Sequence, residues 1–253
     1  PLPRPPVLTE KLLKEQAEWS RKPNMHTAAK YFKEGNYSSA LLELNPLARE
    51  GIADAQALLG YIYLHGLGIP KDNIAASFWL HKAAAQGVAE SYALLGLMYL
   101  NGDIGGEKNG KEAEKWFLKG ALRSQSEAQF QLAYLYSHGL HGATHDLNAA
   151  FEWYKRSAAK GHPGAQHNLA LFLLQGKGGA KQNPKEALEW FQRAAAQNHK
   201  TSQRSLVGIY FLGEVVEQNL LYAYMWATLS FNHDPESPSG KMFEIITKFM
   251  SDS

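Results

Sequence analysis

Residues 76–87 read ASFWLHKAAAQG, and the same outline returns as AEKWFLKGALRS at 113–124, AFEWYKRSAAKG at 150–161, ALEWFQRAAAQN at 187–198 and AYMWATLSFNHD at 223–234. A more degenerate copy begins at Ala40, with Glu43 where the others place tryptophan. The leading alanines stand 36 or 37 residues apart throughout, and such a fixed period is the mark of a repeat architecture. Eleven residues after each alanine come Gly51, Gly87, Ser124, Gly161, Asn198 and Asp234. Small or turn-forming residues there suit a helix end, where the backbone often turns left-handed.

A second block follows each of the first five. It runs Leu59-Gly60 with Tyr63 and Gly66, then Leu95-Gly96 with Tyr99 and Gly102, Leu132-Ala133 with Tyr136 and Gly139, Leu169-Ala170 with Leu173 and Gly176, and Leu206-Val207 with Tyr210 and Gly213. Apolar residues recur at steps of three and four in both blocks, which is helical spacing, and no period-two strand pattern appears. Each unit is therefore a pair of antiparallel helices, with Gly or Ala beside the leucine permitting close approach. Two short amphipathic helices cannot bury their faces alone, so neighbouring pairs must stack.

The outline A-x-x-W-[YFL]-x-K-A-A-x-x-G followed by A-Q-x-x-L-G-x-x-Y-x-x-G-x-G resembles the Sel1-like repeat family, a relative of the TPR helical repeats. Trp79-Leu80 with Lys82-Ala83-Ala84 and Gly87 carry the first half; Ala55-Gln56 with Leu59-Gly60, Tyr63, Gly66 and Gly68 carry the second, and Ala165-Gln166 and Gly176-Lys177-Gly178 match as well. The resemblance implies an all-α fold, a right-handed α/α superhelical solenoid of about five to six helix-pair repeats with helical caps. It also implies a scaffold, adaptor or regulator of protein complexes, often exported in bacteria, so that a periplasmic or secreted setting is expected and a cytoplasmic one is the alternative. The domain plan is a Pro-rich tail at 1–7, capping helices at 8–35, the solenoid at 36–234 and a closing helix within 235–253. Within that plan residues 8–22, 24–34 and 241–250 read as helices, and Asp234 to Gly240 as a loop.

Composition narrows the function. The chain of 253 residues carries 26 basic and 24 acidic residues, a net charge of +2 that offers no electrostatic footprint for nucleic acid. No apolar run approaches the roughly 18 residues of a membrane span. There is no cysteine, which excludes disulfides and thiolate metal sites and fits either redox compartment.

Three stretches imitate chemistry. Gly105 to Lys111 (GGEKNGK) matches the start of a phosphate loop, but Glu112 stands where a magnesium-binding hydroxyl is needed and no strand precedes it. Ser157-Ala158-Ala159-Lys160 matches the S-x-x-K of penicillin-recognising enzymes, without the K-T-G partner. His138, His141 and His145 crowd one loop beside Asp146 in no recognised ligand spacing. We expect no catalytic residue, no metal and no cofactor. The periodic tryptophans at 79, 116, 153, 190 and 226 read as core or inter-repeat packing, and the basic residues near helix ends (Lys82, Lys119, Lys155, Arg156, Arg193) as partners of the helix dipole.

The functional surface is expected in a concave groove lined by the L-G-x-x-Y helices. Positions one or two steps around from the packing set are Tyr61, Leu64, Glu90, Leu97, Leu100, Phe130, Tyr134, His138, His167, Leu171, Gln175, Arg204 and Phe211. They vary between units while the packing set stays nearly constant. An aromatic and aliphatic groove with interspersed polar groups suits a protein or peptide partner. Its rivals are cover by the chain's own terminal helices, a homodimer, a glycan ligand, or a cell-wall-active, β-lactamase-like site.

Overall fold

The computed structural model describes residues 22–231 and 238–252. Thirteen α-helices lie within them: α1 Met25–Lys33, α2 Tyr37–Arg49, α3 Ala53–His65, α4 Asn73–Ala85, α5 Ala89–Asn101, α6 Gly110–Leu122, α7 Ser126–His138, α8 Leu147–Ala159, α9 Pro163–Gln175, α10 Pro184–Ala196, α11 Lys200–Leu212, α12 Leu220–Ser230 and α13 Pro238–Asp252. A 3-10 turn, Leu140–Gly142, interrupts the α7–α8 loop, and no strand occurs among the described residues. The tail at 1–7 and nearly all of the helix expected over 8–22 lie outside them. The closing helix begins at Pro238, three residues before its expected start at Lys241. The helices fall into two compact units, the first running to Ser91 and the second starting at Tyr92. Within each, helices pack against their neighbours in sequence.

Local chemistry sets the helix ends. Asn36, Asp72, Asn109, Asp146, Asn183 and Asn219 cap the second helix of successive pairs, each side chain accepting one or two backbone N–H groups of the first turn. From Asp72 onward each cap residue also donates its own backbone N–H to the preceding helix: Asp72 to Tyr63, Asn109 to Tyr99, Asp146 to Tyr136, Asn183 to Leu173 and Asn219 to Tyr210, at 2.9–3.0 Å. The loop between the two helices of a pair is thereby closed at both ends. Five of the six positions read as left-handed are so: Gly51, Gly87, Ser124, Gly161 and Asn198 have φ of 96°, 91°, 63°, 89° and 65°, and Asp234 lies outside the described residues.

The core follows the repeat. The leading alanines Ala40, Ala76, Ala113, Ala150, Ala187 and Ala223 are all fully buried, as are Leu59, Leu95, Leu132 and Leu206. Glycine beside the leucine is required by its neighbour: a Cβ on Gly60 would stand 2.7 Å from Leu80 Cγ, and one on Gly96 would enter the Phe117 ring.

The tryptophans pack as expected, but from the margin: Trp79, Trp153, Trp190 and Trp226 lie against the core and Trp116 stacks on Tyr92 at 6.2 Å. The buried residue is the next one along, Leu80, Phe117, Tyr154 or Phe191, while Trp79, Trp116, Trp153 and Trp190 are half-buried. A cation three residues on lies over each ring: Lys82 at 5.6 Å, Lys119 at 4.0 Å, Arg156 at 4.6 Å and Arg193 at 4.4 Å from the centroid. These basic residues thus do more than meet the helix dipole. A tryptophan too large for the alanine-lined core keeps one flank in water, and the cation covers it, a contact worth about 0.5–1 kcal/mol at an exposed site.

Candidate functional site: a cleft between α7 and α9

In the second unit the ends of α7 and α9 and the body of α8 enclose a cleft of about 340 Å³. Tyr134, Ser137 and His138 come from the last turns of α7, Leu147 and Tyr154 from α8, and Asn168, Leu171, Phe172 and Gln175 from α9. Lys177 follows the left-handed C-cap Gly176 (φ 62°) and stands at the mouth. Helical spacing aligns Tyr134 with His138 and Leu171 with Gln175, one turn apart on their helices.

The polar groups of the wall satisfy one another. The Ser137 hydroxyl donates to the Tyr134 carbonyl at 2.8 Å and lies 2.7 Å from His138 Nδ1 and 3.2 Å from the Tyr154 hydroxyl. The His138 ring rests on that of Tyr134, their centroids 4.2 Å apart. Burial pushes the Tyr154 hydroxyl up to about 12, against the opposing hydrogen bonds of Ser137 and Asn168, so the phenol stays protonated and neutral.

A second polar cluster lies towards the N-terminal ends of α7 and α9. His162 caps α9 by accepting the Ala165 N–H at Nδ1, which leaves its Nε2–H to donate to Glu127 Oε2 at 3.0 Å. That bond holds the Glu127 carboxyl below its usual range in spite of burial, with Gln131 helping. The other face of His162 stacks on Phe130 at 4.4 Å. One repeat later His199 caps α11, and the Ser202 hydroxyl lies 2.8 Å from its Nδ1 and 2.9 Å from that of His167. Burial, with His199 and Arg204 nearby, pushes His167 down to about 4. His199 is lowered too, by burial first and then by His162 and Arg204.

The thirteen residues expected to line a groove separate on this geometry. Tyr134, His138, Leu171 and Gln175 are brought together in the cleft. Glu90 is exposed, while Leu97 and Leu100 are half-buried against the core around Phe117. Two need correction because they are buried: Leu64, 9% exposed, and His167, 8% exposed and tied to Ser202. Phe130 is half-buried beneath His162. Two more meet the chain's own end helices: Tyr61 meets Phe32 of α1 edge-on at 5.9 Å, and Phe211 meets Phe249 of α13 at 5.7 Å. Arg204 is half-buried and reaches Thr201 Oγ1 at 3.4 Å.

Ser137, Tyr154, Asn168 and Lys177 are cleft residues that sequence reasoning passed over. Tyr154 carried a signal: it is the one hydroxyl in a series otherwise filled by Leu80, Phe117, Phe191 and Ala227.

The stretches imitating chemistry resolve into structure. Ser157 is fully buried and donates to the Ser126 carbonyl at 2.7 Å, while Lys160 is the exposed C-cap of α8. Gly105 to Lys111 is the α5–α6 loop running into the first turn of α6, whose cap is Asn109. Among the described residues no three His, Asp or Glu side chains are grouped to hold a metal, and no helix is long and apolar enough to cross a membrane.

The model of the Sel1 repeat matches residues 53–88, 89–124, 126–162, 163–199 and 206–234. The chain is similar to a Sel1 repeat protein from Oxalobacter formigenes, at 30% identity and a TM-score of 0.70, over 80% of this chain and 79% of that one. It shares its fold with a putative Sel1 repeat protein from Klebsiella pneumoniae subsp. pneumoniae, at 21% identity and a TM-score of 0.52, over 81% and 97% of the two chains. It is likewise similar to an immunity protein from Pseudomonas aeruginosa, at 16% identity and a TM-score of 0.50, over 99% and 89%. No curated protein matches the sequence.

Proposed function

Since the chain belongs to the Sel1 repeat family, whose members are generally protein-interaction scaffolds, we propose that it is a non-catalytic adaptor that holds a partner protein through the α7–α9 cleft. The observation that carries this reading is the pairing of exposed Tyr134 and His138 with Leu171 and Gln175 across one cleft. An aromatic anchor beside an apolar floor and a polar rim is the composition of binding hot spots. The non-catalytic part rests on Ser157, whose hydroxyl is spent on a backbone carbonyl.

Affinity capture from the source organism tests the reading, with wild type beside a Tyr134→Ala/Gln175→Ala double variant and an exposed control outside the cleft lining, Lys115→Ala. Recovery of one protein by wild type and control but not by the cleft variant is the expected result. Equal recovery by all three would move the interaction elsewhere on the surface.

A further inference from the structure

The cleft has a chemical asymmetry that narrows what fills it. Its inner polar groups, Ser137, Tyr154 and His138, are engaged with one another. At the mouth, the Gln175 amide and the Lys177 ammonium make no hydrogen bond or ion pair among the described residues, and both are exposed. Lys177 is also the one formally charged side chain among those that line the cleft. Its counterparts in the other repeats, each following the glycine after the first helix, are Leu67, Asp103, Leu140 and Glu214, so the positive charge belongs to this repeat alone. Apart from Asn168, which bonds the Tyr154 hydroxyl, the walls that remain are apolar: Tyr134, Leu147, Leu171 and Phe172. About 340 Å³ falls at the small end of ligand sites, room for a single large side chain with its backbone at the rim.

We propose that this cleft takes one apolar side chain of a partner peptide that carries an aspartate or glutamate within two residues of it, the carboxylate pairing with Lys177. The proposal rests on the protein-binding reading above and names the partner chemistry of that same site. Tyr134, Leu171 and Phe172 take the apolar side chain, Gln175 serves the peptide backbone with an amide that both donates and accepts, and Lys177 selects the acid. An exposed pair of this kind sets selectivity and salt dependence more than total affinity.

The test is a phage-displayed library of random dodecapeptides panned on the full chain and, in parallel, on Lys177→Glu and Tyr134→Ala. Circular dichroism confirms that each variant is folded. Wild type is expected to enrich peptides with one Leu, Met or Phe flanked by Asp or Glu, and Lys177→Glu to enrich Lys or Arg at the same place. A fluorescein-labelled peptide from the wild-type pool should bind wild type roughly tenfold more tightly than Lys177→Glu. The gap should close in about 1 M salt, where charges are screened beyond about 3 Å. The same acidic motif on wild type and Lys177→Glu, lost only in Tyr134→Ala, would overturn the acid preference and leave the cleft reading standing. An undiminished motif on Tyr134→Ala, or no motif on wild type, would overturn both.

Discussion

Gln86 donates its side-chain N–H to the Oε1 of Gln56, 2.8 Å away and thirty residues earlier, and the same group also reaches the Gly51 carbonyl at 3.0 Å. Gln56 in turn donates to the Ala48 carbonyl at 3.0 Å. In the second unit Gln197 and Gln166 repeat the pair at 2.9 Å. Two repeats change it within the described residues. Tyr92 takes the inner place with Arg123 over its ring at 4.8 Å, and Lys160 stands opposite Gln129. The buried Oε1 of Gln129 then has no partner among the described residues.

Lys160→Gln should repair this. Lys160 has the C-cap backbone of Gln86 and Gln197, with φ of −87°, −89° and −88°, so the new amide starts from the right place. We expect a gain of about 1 kcal/mol in urea unfolding, the net value of a satisfied buried acceptor. No gain would mean that the new side chain stays in water.

Ser124 holds a left-handed backbone, φ 63°, where Gly51, Gly87 and Gly161 stand in other repeats. Ser124→Gly should stabilise by up to about 1 kcal/mol, the relief of Cβ strain less the extra freedom given to the unfolded chain. Gly161→Ala should cost about 1–2 kcal/mol through the backbone alone, because its Cβ would meet nothing within 4 Å. Thermal melts of both variants compare the signs directly.

Gly96→Ala works by collision instead. Its Cβ would occupy the space of the buried Phe117 ring, and overpacking of that kind costs about 1–3 kcal/mol. A compensating Phe117→Leu in the same chain should recover part of the loss, which a double-mutant cycle measures.

Acid should loosen the second unit through His167. Its folded value is held near 4 while the unfolded imidazole titrates near 6.5, so the native state favours the neutral ring. That contribution to stability is fully present above about pH 6.5, declines as pH falls towards 4, and is gone below. His199, lowered in the same direction, adds to the slope. His167→Asn should flatten the fall in unfolding midpoint between pH 6.5 and 4; an unchanged slope would place its origin elsewhere.

Phe130 and Tyr134 should part company. Phe130→Ala removes a half-buried ring stacked on His162 and should cost about 2 kcal/mol, roughly half the penalty of a fully buried phenylalanine. Tyr134 is 37% exposed, and Tyr134→Ala should stay within about 1 kcal/mol of wild type.

Much of the fold is legible because its determinants are local. The buried alanines and leucines repeat at helical spacing, and the left-handed turns announce themselves as Gly51, Gly87 and Gly161. The cleft is less legible for equally physical reasons. Three residues leave about 60° of helix between Tyr61 and Leu64, enough that Leu64 turns into the core although Tyr61 does not. Cover by an end helix leaves no periodic trace, which is why Phe211 looks available until Phe249 is seen against it. The Gln56–Gln86 bond joins the two helices of a pair across thirty residues, and the A-Q motif shows one of its halves only.

The bonds that close each pair, from Asp72 to Tyr63 through Asn219 to Tyr210, span nine or ten residues. With helices inside a unit packing on their sequence neighbours, little of the structure waits for a distant segment. On a ribosome adding about 5–20 residues each second, a pair can complete its own hydrogen bonds within seconds of emerging. The apolar surface left bare at any moment is then about that of one growing pair, which limits the time in which a half-made chain can aggregate.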